Sequence, residues 1–163
     1  MENLDWHTLH KQLQETMKEE LTKLRELLGL LKQEENALLQ GQAHPPYSKT
    51  SPRYLINKQL KLLQKRRSAL TRALGKTGTQ ILYIHHFNSK NFNVLIAQDE
   101  DNAMETFSLR DQILSIMKIV RQYKERLDTL SKHPDAAAYI ALSPKKLNKA
   151  KPSNLQTLPQ DSP

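Results

Sequence analysis

Apolar residues recur at alternating spacings of four and three positions between 109 and 130. The members of this seam are Leu109, Ile113, Ile116, Val120, Tyr123, Leu127 and Leu130. The heptad spacing puts them on one face of an α-helix, and such a face is stable in water only when another helix covers it. The chain is therefore predicted to be all-α, an elongated antiparallel helical hairpin or coiled coil with a long third helix.

The residues that interrupt helices are concentrated in three places. Three of the four glycines and all eight prolines cluster at 41–52, at 75–78 and from 134 onward, which leaves long stretches between them. An apolar content of 37% is typical of long helices that each bury one face. We expect one helical domain over residues 1–133 and a flexible basic tail over 134–163, which is rich in lysine, proline, asparagine and serine.

The sequence predicts a soluble, cytoplasmic protein. It contains no cysteine, so it can form neither a disulfide nor a thiolate metal site. No apolar run approaches the roughly 18 to 20 residues of a membrane span. The first residues also lack the basic and apolar regions of a signal peptide, so we expect no targeting segment there.

The first helix is predicted over residues 3–40. Asn3 is a possible N-cap, and apolar residues recur every seven positions from Met17 to Leu38. Glu20, Glu34 and Glu35 interrupt or edge this stripe, so the helix either pairs less tightly there or faces a basic neighbour. Gly41 is predicted to end the helix, and the segment 41–52 forms the hinge of a hairpin.

The second helix is predicted over residues 52–74. Ser51 and Pro52 are typical of an N-cap and a first helical position, whereas Gly75 and Gly78 favour a helix end. Residues 41–78 hold nine basic and no acidic side chains, while residues 1–40 hold five basic and eight acidic ones. An acidic helix beside a basic one is expected to fix the register of an antiparallel pair.

Five basic residues of the second helix fall on one side of it at helical spacing. We call them the basic stripe: Lys58, Lys61, Lys65, Arg72 and Lys76. Such a stripe could follow the phosphates of a nucleic acid. The alternative is a solvated face that pairs with the glutamates of the first helix, which we favour because only Tyr54 offers a ring for base stacking nearby.

Residues 79–107 allow two interpretations. Two apolar runs flank Asn-Ser-Lys-Asn at 88–91, as in a β-hairpin. Counting back in sevens from Leu109 instead gives Asn102, Leu95 and Asn88, so the seam continues upstream in helical register. We favour the helix and predict a third helix over 80–131, broken or bent around 99–102 and ended by Pro134.

No residues are arranged for catalysis or cofactor binding. His85 and His86 are adjacent and would diverge on a helix, whereas His7 and His10 are three apart but suggest no third metal ligand. The acidic run 99–101 lacks the spacing of a calcium loop. We found no phosphate-binding glycine loop, nucleophile elbow or triad of serine, histidine and aspartate. The chain is therefore expected to be a binding protein rather than an enzyme, with no cofactor and no metal.

Three segments together resemble the FlgN-like family of flagellar export chaperones. They are LLGLLKQEENALL at 27–39, KQLKLLQKRRSAL at 58–70 and NSKNFNVLIAQDEDN at 88–102. The third is similar to a stretch of that family in which two asparagines three apart precede apolar residues and a later asparagine. The resemblance spans about residues 20 to 109, and a related type III secretion chaperone fits nearly as well.

The resemblance implies a cytoplasmic helical chaperone that shields a secreted client of the hook–filament junction type and presents it to the export machinery. Client binding would then fall on the seam near the C-terminal end of the helical part: Leu109, Ile113, Ile116, Val120, Tyr123 and Leu127. The alternative is that this face closes the protein's own bundle, or that it serves each purpose in turn. A basic coiled-coil protein that binds nucleic acid, and a structural subunit that self-associates through the seam, are the other hypotheses.

Overall fold

The structure is a computed structural model that describes residues 5–42, 48–82 and 89–132. It contains four helices, α1 (Trp6–Leu39), α2 (Pro52–Leu82), α3 (Ser89–Ala97) and α4 (Glu100–Lys132). The described residues form no strand, so the all-α prediction is confirmed. The possible cap at Asn3 and the predicted tail at 134–163 lie outside the described residues.

The hairpin hinge begins and ends as the sequence predicts. Gly41 has φ +79°, the left-handed conformation that glycine adopts without strain. Its N–H donates to the carbonyl of Leu38 and that of Gln42 donates to the carbonyl of Ala37, which is the Schellman arrangement at a helix end. At the start of α2 the N–H of Tyr54 donates to Ser51 Oγ at 3.4 Å, so Ser51 caps this helix.

The predicted end of the second helix at residue 74 is wrong, because α2 continues through Gly75 and Gly78 to Leu82. A glycine inside a helix costs only about 1 kcal/mol relative to alanine. Leu74 is fully buried and Gly75 is buried beside it, so tertiary packing outweighs that cost. Local propensity alone therefore placed the boundary two turns too early.

The third helix, predicted over 80–131, does not begin at 80, because residues 80–82 belong to α2 and 83–88 lie outside the described residues. The remainder is divided into α3 and α4, which are separated by Gln98 and Asp99. The break lies at the edge of 99–102, where the sequence predicts a break or a bend. The β-hairpin alternative is wrong, since residues 79–82 and 89–97 are helical. Leu95, which the heptad count placed in the seam, is 3% exposed.

Helix α1 lies between α2 and α4, which both pack along it and hardly touch each other within the described residues. Pairs from Glu20 to Arg67 and from Glu34 to Arg53 show that α2 runs antiparallel to α1. A pair from Glu35 to Arg126 and contacts near residue 10 show that α4 runs parallel to it. The short helix α3 packs against both α2 and α4.

The core follows the length of α1. Leu13, Leu27 and Leu31 are at most 1% exposed and contact the apolar faces of the neighbouring helices. No helix of the described residues has the length and apolarity that crossing a membrane requires.

Candidate functional site

The seam of α4 lies against α1. Leu109, Ile113, Val120 and Leu127 are buried in the core, and Ile116 and Tyr123 are partly buried and pack against it. In this conformation the face predicted to bind a partner therefore closes the protein's own bundle, as in the alternative interpretation. A partner can use this face only by displacing one of the two helices.

The basic stripe of α2 is exposed. Lys58, Lys61, Lys65, Arg72 and Lys76 all face solvent. The alternative interpretation predicts that the stripe pairs with glutamates of α1. Two glutamates of α1 do pair with α2, but their partners are Arg67 and Arg53, which lie outside the basic stripe. Arginine suits these partly buried positions because its planar guanidinium can donate to both oxygens of one carboxylate.

A groove lies between α2 and α4 because both helices pack on α1 without closing on each other. It encloses about 470 Å³. Its apolar lining comes from Leu24, Leu27, Leu60 and Val120. Its walls are formed by Asn57, Lys61, Gln64, Met117, Arg121 and Lys124. Of the basic stripe, only Lys61 lines this groove, together with Arg121 and Lys124 of α4.

The groove is electropositive. Lys61, Arg121 and Lys124 line it, and no aspartate or glutamate is among its lining residues. Burial lowers the pKa of Lys124 below its usual 10.5, and the nearby positive charge of Arg53 lowers the pKa further. The charged form of Lys124 is therefore less stable here than in water, and an anion in the groove would stabilise it.

A buried polar network joins α1 to the start of α4. His10, 1% exposed, donates from Nδ1 to Asp99 Oδ2 at 2.8 Å, and its Nε2 lies 2.6 Å from Thr106 Oγ1. Gln14 Nε2 donates to Thr106 Oγ1 and to the carbonyl of Asn102, both at 3.0 Å. The break between α3 and α4 is therefore fixed to α1 by hydrogen bonds as well as by apolar contact.

Sequence reasoning missed this network, although a signal was present. Trp6, Leu13, Met17, Leu24 and Leu27 share a heptad register in α1, and His10 and Glu20 occupy the two polar positions in it. A polar residue in such a register predicts a specific partner on the facing helix, because a buried polar group without one is costly. The identity of that partner could not be read from the sequence.

The hydrogen bonds between Asp99 and His10 and between His10 and Thr106 resemble the arrangement of acid, histidine and hydroxyl in a catalytic triad. Both His10 and Thr106 are only 1% exposed, so no substrate can reach the hydroxyl in this conformation. Both ring nitrogens of His10 are engaged, which also leaves it no nitrogen for a metal shared with His7. We assign these residues the role of holding α4 in register.

No protein-family model matches this chain, and searches of curated proteins and of solved structures return no significant match. The function is therefore inferred from the surfaces described above.

Proposed function

We propose that this protein is a cytoplasmic export chaperone of the FlgN-like or a related type III secretion kind, which binds a secreted helical client and shields it before export. The observation that carries the proposal is the way α4 is held. Its apolar seam is covered mainly by α1, while the described residues of α2 hardly touch it. A helix held on one side is suited to exchange with a helix of similar pattern from another protein.

Between the buried His10 network and the largely buried Glu35–Arg126 pair, two exposed polar contacts of the α1–α4 interface favour such an exchange. Lys18 pairs with Glu105 where both side chains are about half exposed, and Arg25 donates to Gln112 at an exposed position. Exposed pairs of this kind contribute about 0–1 kcal/mol each, because water replaces them at little cost. The interface thus combines an apolar seam, which a client helix can match, with flanking contacts that are easily lost.

The test is complex formation with the hook–filament junction proteins encoded in the same genome. Co-expression should give a stable complex of defined stoichiometry on gel filtration, and hydrogen exchange should change in α4 over residues 109–127. Because the contact is largely apolar, the complex should persist at high salt. Absence of a complex with every secreted helical protein of that genome would refute the proposal.

A pair of variants of α4 tests the surface. Ile116 lies on the seam and is partly buried, whereas Leu114 lies on another side of the helix and is 58% exposed. Ile116→Asp is expected to abolish the complex and Leu114→Asp to leave it intact, with circular dichroism confirming that both variants remain helical. Unchanged binding by a helical Ile116→Asp variant would exclude the seam as the client surface.

Nucleic-acid binding is the second candidate, and the exposure of all five residues of the basic stripe favours it. Binding through this stripe would be electrostatic and would fall by orders of magnitude between about 50 and 200 mM salt. The alternative of a subunit that self-associates through the seam predicts a mass that rises with concentration in analytical ultracentrifugation. A monomer that binds its client at high salt supports the chaperone over both.

A further inference from the structure

Helix α3 occupies one end of the space between α2 and α4. It packs against both helices, and Arg110 of α4 donates to Asn93 of α3 at 2.7 Å. Leu95 is buried in the common core with Leu74 of α2. At this end, therefore, the space between α2 and α4 accommodates a helix of the chain itself.

The groove is the continuation of that space, and no described residue covers it. Met117 lies seven residues after Arg110, which is about two turns further along the same side of α4. The groove begins there and extends to Lys124 on α4 and between Asn57 and Gln64 on α2. Its open stretch spans about two helical turns, or roughly 10 Å.

The charge of the groove specifies what can fill it. Lys61, Arg121 and Lys124 form no hydrogen bond or ion pair with any described residue, in contrast to Arg53, Arg67 and Arg126, which pair with glutamates of α1. Three cations thus converge on an apolar lining without a carboxylate. Burial also makes the charge of Lys124 costly. An occupant that brings carboxylates would remove this unfavourable arrangement.

We propose that this groove binds an amphipathic helix of the exported client, whose carboxylates pair with Lys61, Arg121 and Lys124 while its apolar side chains contact Leu60 and Met117. The inference rests on the proposed function for the identity of the partner, and it adds the chemistry of the segment bound. The helix would lie between α2 and α4 in line with α3, so that client and α3 together fill the space between them.

The chain's own carboxyl-terminal segment fits the charge of the groove less well than an acidic client helix does. Residues 133–163 contain four lysines and only two acidic residues, so they would add positive charge to a positive groove. A second copy of the chain is also disfavoured, because it carries a net charge of +8 and would approach a positive groove. Both occupants nevertheless give distinct results in the experiment below.

The experiment uses the full chain and a fluorescent synthetic helix of about 20 residues, with leucines at heptad spacing and glutamates beside them. A matched peptide carries glutamine at each glutamate. At about 0.15 M ionic strength the glutamate peptide should bind at least about tenfold more tightly than the glutamine peptide in fluorescence anisotropy. Equal affinities for the two peptides would overturn the proposal.

Charge reversal in the groove provides the second arm. Lys61→Glu with Arg121→Glu should weaken binding of the glutamate peptide at least about tenfold. Lys58→Glu with Arg66→Glu makes the same change in net charge at exposed positions of α2 that do not line the groove, and it should change the affinity by less than about threefold. Equal weakening by both pairs would indicate non-specific attraction and would overturn the groove assignment.

Cross-linking locates the peptide directly. The chain has no cysteine, so Gln64→Cys and Leu114→Cys each create a single labelling site. A photoreactive label at position 64 should cross-link the peptide, and the same label at position 114, on the exposed side of α4, should not. Cross-links from position 64 to the chain's own carboxyl-terminal segment or to a second copy, with none to the peptide, would overturn the proposal.

Binding of the junction protein distinguishes failure of the groove assignment from failure of the proposed function. If Lys61→Glu with Arg121→Glu leaves the complex with the junction protein unchanged, the chaperone function stands and the groove assignment is wrong. If no junction protein binds but the glutamate peptide binds and cross-links at position 64, the groove recognises acidic helices and the chaperone function is wrong.

Discussion

Arg67 of α2 donates from Nε and Nη2 to the two carboxylate oxygens of Glu20, at 2.7 and 3.3 Å, and forms a partly buried ion pair between α1 and α2. Glu20 is fully buried, whereas the Arg67 side chain is 36% exposed. Arg67 falls between Leu63 and Leu70 in the apolar register of α2. The charged pair therefore replaces a pair of apolar side chains and allows one register between the two helices.

This asymmetry predicts unequal effects of breaking the pair. Arg67→Met leaves the buried carboxylate of Glu20 without its partner and should lower the free energy of unfolding by about 3 kcal/mol or more. Glu20→Met should cost about 1 kcal/mol, because the guanidinium of Arg67 can turn toward water. The double variant should resemble Glu20→Met. Urea unfolding followed by circular dichroism measures all three, and equal losses from the single variants would contradict the prediction.

Removing the ring of His10 should destabilise the contact between α1 and α4. His10→Leu leaves the buried Asp99 carboxylate without its shortest hydrogen bond and should cost about 2 to 4 kcal/mol in urea unfolding. Thr106→Val should cost more than Thr16→Val, since Thr106 bonds side chains of α1 while Thr16 bonds only the carbonyl of Gln12 in its own helix. Equal costs of the two valine variants would argue against a role for Thr106 in joining the helices.

The network also predicts an acid dependence of stability. Burial alone would raise the pKa of Asp99, but hydrogen bonds from His10, Asn102 and His7, together with the charge of His10, lower the pKa below its usual 3.8. Because the folded state favours the carboxylate, its stabilising contribution is present above pH 3.8 and is lost as the pH falls through the lower folded value. The difference in unfolding free energy between wild type and Asp99→Asn should therefore shrink below pH 3.8. A constant difference from pH 5 down to pH 2 would show that this carboxylate does not carry the effect.

Lys124 predicts a dependence of the same sign at alkaline pH. Burial and the charge of Arg53 lower its pKa in the folded state, so the folded chain releases this proton before the unfolded chain does. Stability should accordingly rise as the pH increases from the folded pKa towards 10.5. Lys124→Met should lack this rise, whereas the exposed Lys58→Met should retain it. Thermal melts over the alkaline range would test this, and identical profiles for both variants would contradict it.

Two glycines, one inside α1 and one just after it, predict changes of opposite sign. An added Cβ at Gly29, in the middle of the helix, would meet no atom within 4 Å, so Gly29→Ala should stabilise the fold by about 1 kcal/mol. Gly41 has φ +79°, where alanine is strained, so Gly41→Ala should destabilise it by about 1 kcal/mol. The shift of the urea midpoint measures both effects. Stabilisation by Gly41→Ala would show that the backbone after α1 leaves the left-handed conformation without cost, and would contradict the prediction.

The sequence by itself determined the helices and their faces. The heptad spacing of the 109–130 seam, the cap at Ser51 and the helix end at Gly41 depend on interactions within a few residues, and all three appear in the structure. The limit of this reasoning is visible at Gly75, where local propensity indicates a helix end. Burial of Leu74 instead keeps the chain helical to Leu82.

Only the tertiary structure decided which faces meet. It placed the 109–130 seam on α1, matched His10 with Asp99 and Thr106 across about ninety positions, and left the groove between α2 and α4 open. The sequence could identify His10 and Glu20 as polar residues in an apolar register, but not their partners. An amphipathic stripe in the sequence shows that one face of a helix must be buried. Which helix buries it depends on how all the apolar faces of the chain pack together, and this is a property of the whole folded chain.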